Sequence, residues 1–267
     1  DYYASRGLGD VYKRQEYWNG DEGKRGIVTL CWHWCPAARY DKSKSDPWGT
    51  FYTDKTKFNL ARAMNGRDPD GYQMLLDDID AIAVQLKRLQ DADVPVLWRP
   101  LHEASGGWFW WGASGADAYL QLYKLMYDRL TNVHGLNNLI WVWNGQDAAW
   151  YPGDEYVDII GEDIYPGKHV YTSQAARFIK ALNYTDTRKL ITLSENGCIP
   201  DPEQLVRDNI MWSYWCVWEG EFVLKAAGFN NYSEQYTEKN MLKKAYKSDT
   251  VITRKELPDL RNYPLGD

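Results

Sequence analysis

The chain has 267 residues, 44% of them hydrophobic and 25% charged, with a net charge of −6, which is the balance of an ordinary globular protein large enough to bury a sizeable core. No run of about 18 apolar residues exists to span a bilayer, and an acidic chain without a basic stripe is unsuited to a nucleic-acid backbone. Aromatic residues make up 15%, with 14 Trp and 20 Tyr against 6 Phe, a bias toward rings with a polar handle that suits a carbohydrate groove or a protein interface.

Residues 1 to 15 carry no clear periodicity and no apolar signal-peptide core, so they read as an unstructured arm or as sequence foreign to the fold; residues 16 to 267 read as a single domain. Gly26 to His33 is the first strand, ending in a His. Residues 34 to 70 are long, polar and punctuated by Pro and Gly, as functional loops often are. Leu75, Ile79, Ile82, Leu86 and Leu89 recur at helical spacing and predict an amphipathic helix. Val94 to Leu101 is a short strand of β-branched and large apolar residues that runs into His102-Glu103, then Ala104-Ser105-Gly106-Gly107 and four aromatics, Trp108 to Trp111.

A helix is predicted from Ser114, whose spacing to Asp117 resembles a capping box, to Gly135. Strands follow at Leu139–Asn144, Val157–Tyr165, Lys189–Glu195 and Trp212–Trp218. Helices are expected at Thr172–Leu182, behind the Asp201-Pro202 cap, and at Ser233–Tyr246. Strands alternating with helices at this spacing imply parallel β/α units. Polar groups gather at the strand C-termini: His33, His102-Glu103, Asn144, Asp163 with Tyr165, Glu195, and Trp218 with Glu219. A barrel draws functional groups from many strand ends, whereas a doubly wound sheet concentrates them at one switch point, so a (β/α)8 barrel is the expected fold. Six strands are legible, which leaves two β/α units hidden or missing at the N-terminal side.

Glu103 and Glu195 are the carboxylates that pair most naturally. Retaining glycoside hydrolysis requires one carboxyl to protonate the leaving oxygen and another, roughly 5–5.5 Å away, to attack the anomeric carbon. Their affinities for protons must differ, and Trp108 to Trp111 offer an apolar setting for the acid while Tyr165 offers a hydroxyl to the nucleophile. The four cysteines, Cys31, Cys35, Cys198 and Cys216, have no C-x-x-C spacing; Cys31 and Cys216 lie in strand-like runs and read as small buried hydrophobes. His134 and His169 sit in loop-like contexts and are assigned no chemistry.

The run W-R-P-L-H-E followed by G-G-W-F-W-W-G resembles the acid/base signature of glycoside hydrolase family 26, chiefly β-mannanases with a (β/α)8 barrel. The shorter V-T-L-C-W-H-W, W-V-W-N, G-E-D-I-Y and L-S-E-N-G are similar to the family's third, fifth, sixth and seventh strands. The resemblance implies that Glu103 is the acid/base and Glu195 the nucleophile. It implies that His33, His102, Trp108, Asp163, Tyr165 and an aromatic on the last strand, Trp218 in preference to Trp215, bind the sugar. On that count the unseen strands are the first and second. The expected activity is retaining, endo-acting cleavage of β-1,4-mannosidic bonds in mannan, galactomannan or glucomannan, with no metal or cofactor. A polysaccharide substrate, no nucleic-acid or membrane partner, a monomer if the barrel is complete, and a secreted or periplasmic setting accompany it.

Three other readings compete: the same mechanism on xylan or mixed-linkage glucan, a metal-dependent hydrolase using His33, His102 and Glu103, and a non-catalytic sugar-binding barrel. Adjacent strand residues point to opposite faces, which disfavours a metal held by both His102 and Glu103 and demands a bulge or twist if both are to enter one pocket.

Overall fold

The computed structural model describes the backbone of residues 2–20, 25–42, 47–225 and 231–264, and the side chains of these from Val11 on, Pro47 excepted. The chain divides into two compact units, Asp1–Glu22 with Gly26–Asp158, and Gly23–Arg25 with Ile159–Asp267.

The first unit holds three parallel strands, β1 (Val28–Cys31), β2 (Val96–Arg99) and β3 (Leu139–Trp143), with β2 in the middle and Val96 in register with both Val28 and Leu139. All four residues of β2 are buried, as a parallel strand covered on both faces must be, and this explains its unbroken apolar run up to Arg99. Helix α2 (Leu60–Met64) interrupts the long irregular region, capped by the Asn59 side chain, and α3 (Pro69–Asp91) follows. Asp68 caps α3 by accepting the Gly71 N–H, Pro69 occupies its first turn, and Met74, Leu75, Ile79, Ala83, Leu86 and Leu89 form its buried stripe.

Helix α4 (Ala116–Asp128) ends in one π-helical turn, Arg129–Val133. The capping box expected at Ser114 does not form. Gly115, at φ 87°, is the N-cap, and the Ser114 hydroxyl instead accepts the Ala61 N–H at 3.2 Å, tying the start of α4 to α2.

Residues 1 to 15 also depart from expectation, because Tyr2–Asn19 is an α-helix, α1. Gly7 and Gly9 each weaken a helical pattern by about 1 kcal/mol, so propensity alone gives no sign of it. Tertiary packing supplies the stability: Val11 and Trp18, two turns apart, are buried, Val11 lines an apolar cavity with Ile82, Leu86 and Leu89, and the Gly26 N–H donates to the Tyr17 carbonyl at 2.9 Å.

The second unit repeats the pattern with parallel strands β4 (Ile159–Ile164), β5 (Leu190–Asn196) and β6 (Trp215–Val217), β5 lying between the others. Helix α5 (Ala175–Leu182) starts three residues later than the sequence pattern suggests, and α7 (Lys239–Tyr246) six later. Between them, α6 (Pro202–Asp208) has the predicted cap, with Asp201 accepting the Glu203 N–H. Glu162 of β4 is fully buried and is satisfied by Arg177 Nε at 2.9 Å and the Tyr184 hydroxyl at 2.8 Å, which bolts α5 to the sheet. The β4–β5 register slips after Glu162, which faces Leu193, so that Asp163 faces Glu195 and Ser194 is the extra residue of a bulge.

The α/β class with parallel strands is thus realised in each unit. Among the described residues no helix is long and apolar enough to cross a membrane. No disulfide links the four cysteines; Cys31 and Cys216 lie on strands as expected but are only half-buried, while Cys198 is buried.

His134, to which the sequence assigns no chemistry, has a structural part in an ion cluster. Asp80 on α3 accepts Arg129 Nε at 2.5 Å and Nη2 at 2.6 Å and meets His134 Nε2 at 2.6 Å, clamping α3 to the π turn. The Arg129 hydrogen bonds foremost, with His134 adding, draw the Asp80 carboxyl down to about 2. A carboxylate with a depressed folded-state pKa contributes stability above its unfolded value of about 3.9 and loses it as pH falls through the folded value. Because the cluster is partly exposed, Asp80→Asn is expected to cost about 1 kcal/mol at neutral pH, a difference that shrinks as pH falls below the ordinary carboxylate range. Urea midpoints of both proteins, from neutral pH to the lowest pH at which the chain stays folded, measure it.

Candidate active site

In the first unit the functional groups collect where β1, β2 and β3 end. Beyond Arg99 the chain leaves the strand through two non-glycine residues in the left-handed region, Leu101 at φ 53° and Glu103 at φ 52°. This abolishes the strand alternation that would send His102 and Glu103 to opposite faces. The Glu103 N–H donates to the Asn144 carbonyl at 2.7 Å, and the Ser105 N–H to the Gly145 carbonyl at 3.3 Å, so the turn is fastened to the end of β3. Asn144 Oδ1 lies 3.3 Å from the same Glu103 nitrogen and accepts Arg99 Nη1 at 3.0 Å.

His102 is 1% exposed, its ring 4.9 Å from that of His33 at an interplanar angle of 81° and 5.0 Å from Phe109. Burial foremost, with the charges of Arg99 and His33 adding, pushes its imidazole well below the usual range and keeps it neutral. Its Nδ1 has no hydrogen-bond partner, a cost of about 1–3 kcal/mol that simple core packing would not retain.

The four aromatics divide their labour. Trp108 is 47% exposed and donates Nε1–H to Glu103 Oε2 at 2.9 Å. Phe109, Trp110 and Trp111 are buried, so they are the floor of the loop, and of the four only Trp108 is exposed. Trp110 Nε1 donates to the Trp34 carbonyl at 2.6 Å and Trp111 Nε1 to the His102 carbonyl at 2.8 Å, which satisfies both buried donors. The irregular region after β1 is pinned to this loop: the Thr53 N–H donates to the Trp108 carbonyl and the Trp110 N–H to the Phe51 carbonyl.

In the second unit Glu195 is the penultimate residue of β5 and is 5% exposed. The Tyr165 hydroxyl, just beyond β4, donates to Glu195 Oε2 at 2.7 Å. The bulge sets Asp163 level with Glu195, and the Ser194 hydroxyl donates to Asp163 Oδ1 at 2.7 Å. Trp218, half-buried, follows β6 and donates its N–H to the Asn196 carbonyl at 3.0 Å. Tyr165 packs on Phe222 with ring centroids 5.3 Å apart. Each unit therefore presents one glutamate at a strand end with an aromatic donor on its carboxylate: Glu103 with Trp108, and Glu195 with Tyr165.

Residues 6–256 match the sequence model of Glycosyl hydrolase family 26. The chain belongs to that family. Its relatives include a mannan endo-1,4-beta-mannosidase of Thermothelomyces thermophilus, 46% identical over 233 residues, 87% of this chain and 46% of the relative. Mannan endo-1,4-beta-mannosidase A of Piromyces sp. is 38% identical over 242 residues, 91% of this chain and 37% of the relative. The chain spans less than half the length of these two proteins. Among solved structures, a beta-mannanase from a symbiotic protist of the termite Reticulitermes speratus, complexed with gluco-manno-oligosaccharide, aligns with TM-score 0.79 at 36% identity over 93% of this chain and 72% of its own. The Podospora anserina GH26-CBM35 beta-(1,4)-mannanase aligns with TM-score 0.77 at 41% identity, over 86% of this chain and 50% of its own.

Within this family 26 chain, His33, His102, Glu103 and Trp108 lie together in the first unit, and Asp163, Tyr165, Glu195 and Trp218 at the strand ends of the second. Sequence reasoning did not assign roles to Arg99, Ser194 or the tight packing at Gly106. Arg99 did carry a signal, since it is the lone charge in a strand otherwise wholly apolar. A Cβ at Gly106 would stand 2.1 Å from ring atoms of the exposed Trp108, so a side chain there must displace the indole, whereas Gly107 is favoured by its φ of 72°. Gly106→Ala is therefore expected to push the indole off Glu103 and to lower turnover about 10-fold, the value of one charge-assisted hydrogen bond, with little change in melting temperature. Steady-state rates and thermal melts of the two proteins test this.

Proposed function

We propose that the chain is the catalytic domain of a retaining, endo-acting glycoside hydrolase that cleaves β-1,4-mannosidic bonds in mannan, galactomannan or glucomannan. The observation that carries the reading is the 2.7 Å hydrogen bond from Tyr165 to Glu195 at the end of β5: a nearly buried carboxylate, on a rigid strand, oriented through its Oε2 by a phenolic donor. The relatives named as mannan endo-1,4-beta-mannosidases support the substrate. The proposed scaffold is a single (β/α)8 barrel domain, with β1 to β6 standing as its third to eighth strands. No metal takes part, and the setting is secreted or periplasmic, with the enzyme working as a monomer.

In the first step a Glu195 oxygen attacks the anomeric carbon, the bond to the leaving sugar breaks, and Glu103 gives its proton to the departing oxygen. The product of this half is a glycosyl ester of Glu195 with Glu103 ionised. In the second step Glu103 takes a proton from water, whose oxygen displaces Glu195, releasing a sugar of the original β configuration and restoring both carboxyls. Tyr165 holds Glu195 in line for attack, and Trp108 holds the Glu103 carboxyl while offering its exposed ring to the apolar face of a sugar. His33, His102, Asp163 and Trp218 complete the proposed pocket, with neutral His102 serving as a hydrogen-bonding wall and not as a charge.

Incubation with mannan, xylan and mixed-linkage glucan, with the anomeric protons of new chain ends followed by NMR, tests both substrate and stereochemistry. The expected result is early release of β-configured ends from mannan alone; α-configured ends, or release only from another polymer, would remove the assignment. Glu103→Gln and Glu195→Gln should each abolish turnover on mannan while leaving thermal melts unchanged. Tyr165→Phe removes a hydrogen bond to a charged acceptor worth about 1.5–3 kcal/mol, so kcat should fall about 10- to 100-fold with KM nearly constant.

A further inference from the structure

Arg99 has no part in the chemistry just described, yet it is the one charged residue of β2 and is 4% exposed. A guanidinium is costly to bury, and a strand covered on both faces would be better served by an apolar residue unless the charge holds something in place. Its Nη1 donates to Asn144 Oδ1 at 3.0 Å, and Asn144 is itself fully buried. Through its main-chain carbonyl, at 2.7 Å, and through the same Oδ1, at 3.3 Å, Asn144 receives the N–H of Glu103. Glu103 in turn sits at φ 52°, a left-handed conformation that is strained for a non-glycine residue.

We infer that Arg99 and Asn144 are positioning residues for the acid/base: the buried guanidinium locks Asn144, and Asn144 holds the strained Glu103 backbone so that its carboxyl is presented to the leaving oxygen. This inference rests on the role proposed for Glu103. The Arg99 donor on Asn144 Oδ1 fixes that oxygen on the side of the turn that carries the Glu103 N–H. Lysine could supply charge but not the planar fork.

The geometry makes a prediction specific to acid catalysis. A misplaced acid slows departure of a sugar, which needs a proton, and hardly slows departure of a dinitrophenolate, which does not. Arg99→Met is therefore expected to lower kcat on a manno-oligosaccharide about 100-fold, within the range attributed to general acid catalysis. The rate of dinitrophenolate release from an activated aryl β-mannobioside, read in the first turnover, should be nearly unchanged. Asn144→Ala should show the same split, and Asn144→Asp, which keeps an oxygen acceptor for both partners, should restore most of the oligosaccharide rate.

A second measurement is independent of turnover. Hydrogen exchange followed by NMR should show the Glu103 amide losing protection in Arg99→Met while the amides of β3 keep theirs. Equal loss on both substrates, or a Glu103 amide as protected as in the parent, would overturn the inference. Should Arg99→Met fail to fold, Asn144→Ala carries the same two readouts and decides in the same way. If the parent chain cleaves neither substrate, the proposed function has failed, and the amide exchange still decides whether Arg99 positions Glu103.

Discussion

Where the chain leaves β2 it must do something a strand cannot: deliver two consecutive residues, His102 and Glu103, to separate tasks in one neighbourhood. Two left-handed residues, Leu101 and Glu103, accomplish this, and the site of the first unit depends on their staying so. Each is a strained conformation for a side chain with a Cβ. They persist because the surrounding hydrogen bonds over-determine them: Glu103 and Ser105 donate to the end of β3, and Leu101 and His102 are almost wholly buried. Strain of this kind is stored where geometry matters and is offset by packing elsewhere.

The offsetting packing is aromatic and polar at once. Trp34 stacks on Trp32 at 4.3 Å and meets Trp110 edge-on at 5.0 Å, while Trp110 meets Phe58 edge-on at 4.9 Å. Several of these rings also spend their N–H on a partner that fixes their orientation: Trp34 on Asp78 at 2.7 Å, Trp110 on the Trp34 carbonyl, Trp111 on the His102 carbonyl. A phenylalanine would fill the same volume without that bond. The excess of Trp over Phe in this chain thus serves rigidity beneath the site at least as much as contact with a ligand, and only Trp108 of the four-aromatic run is left for contact.

This division marks the limit of what could be read from the residues. The strands, the carboxylates at their ends and the α3 stripe were legible because periodicity and termination are local signals. Which of Trp108 to Trp111 faces solvent was not, since four adjacent aromatics have no period and the left-handed turn before them resets the alternation. The register slip at Ser194 was invisible for a similar reason: a bulge is a relation between two strands, and neither I-T-L-S-E-N nor I-I-G-E-D-I contains it alone. Helix α1 escaped because its stability comes from two residues, Val11 and Trp18, docking on distant partners against an unfavourable local propensity. Ser114 was misread because its hydroxyl found Ala61, 53 residues away in sequence, before it could cap its own helix.

The two glutamates are held in different ways, and the difference suits the roles of nucleophile and acid/base proposed for Glu195 and Glu103. Glu195 belongs to a strand paired on both sides, is nearly buried, and takes a hydroxyl from Tyr165, itself braced by Phe222. A nucleophile attacks one atom along one line, so a rigid seat is an advantage. Glu103 lies beyond its strand, is more exposed, and takes its hydrogen bond from an indole that is itself half in solvent. An acid that must give a proton to a departing sugar and then take one from water meets two oxygens in turn, and a carboxyl steered by its backbone rather than enclosed by its neighbours can serve both. The precision that Glu195 draws from its strand, Glu103 has to draw from the Asn144 contact beneath it, which is why a buried arginine at the end of β2 is worth its desolvation cost.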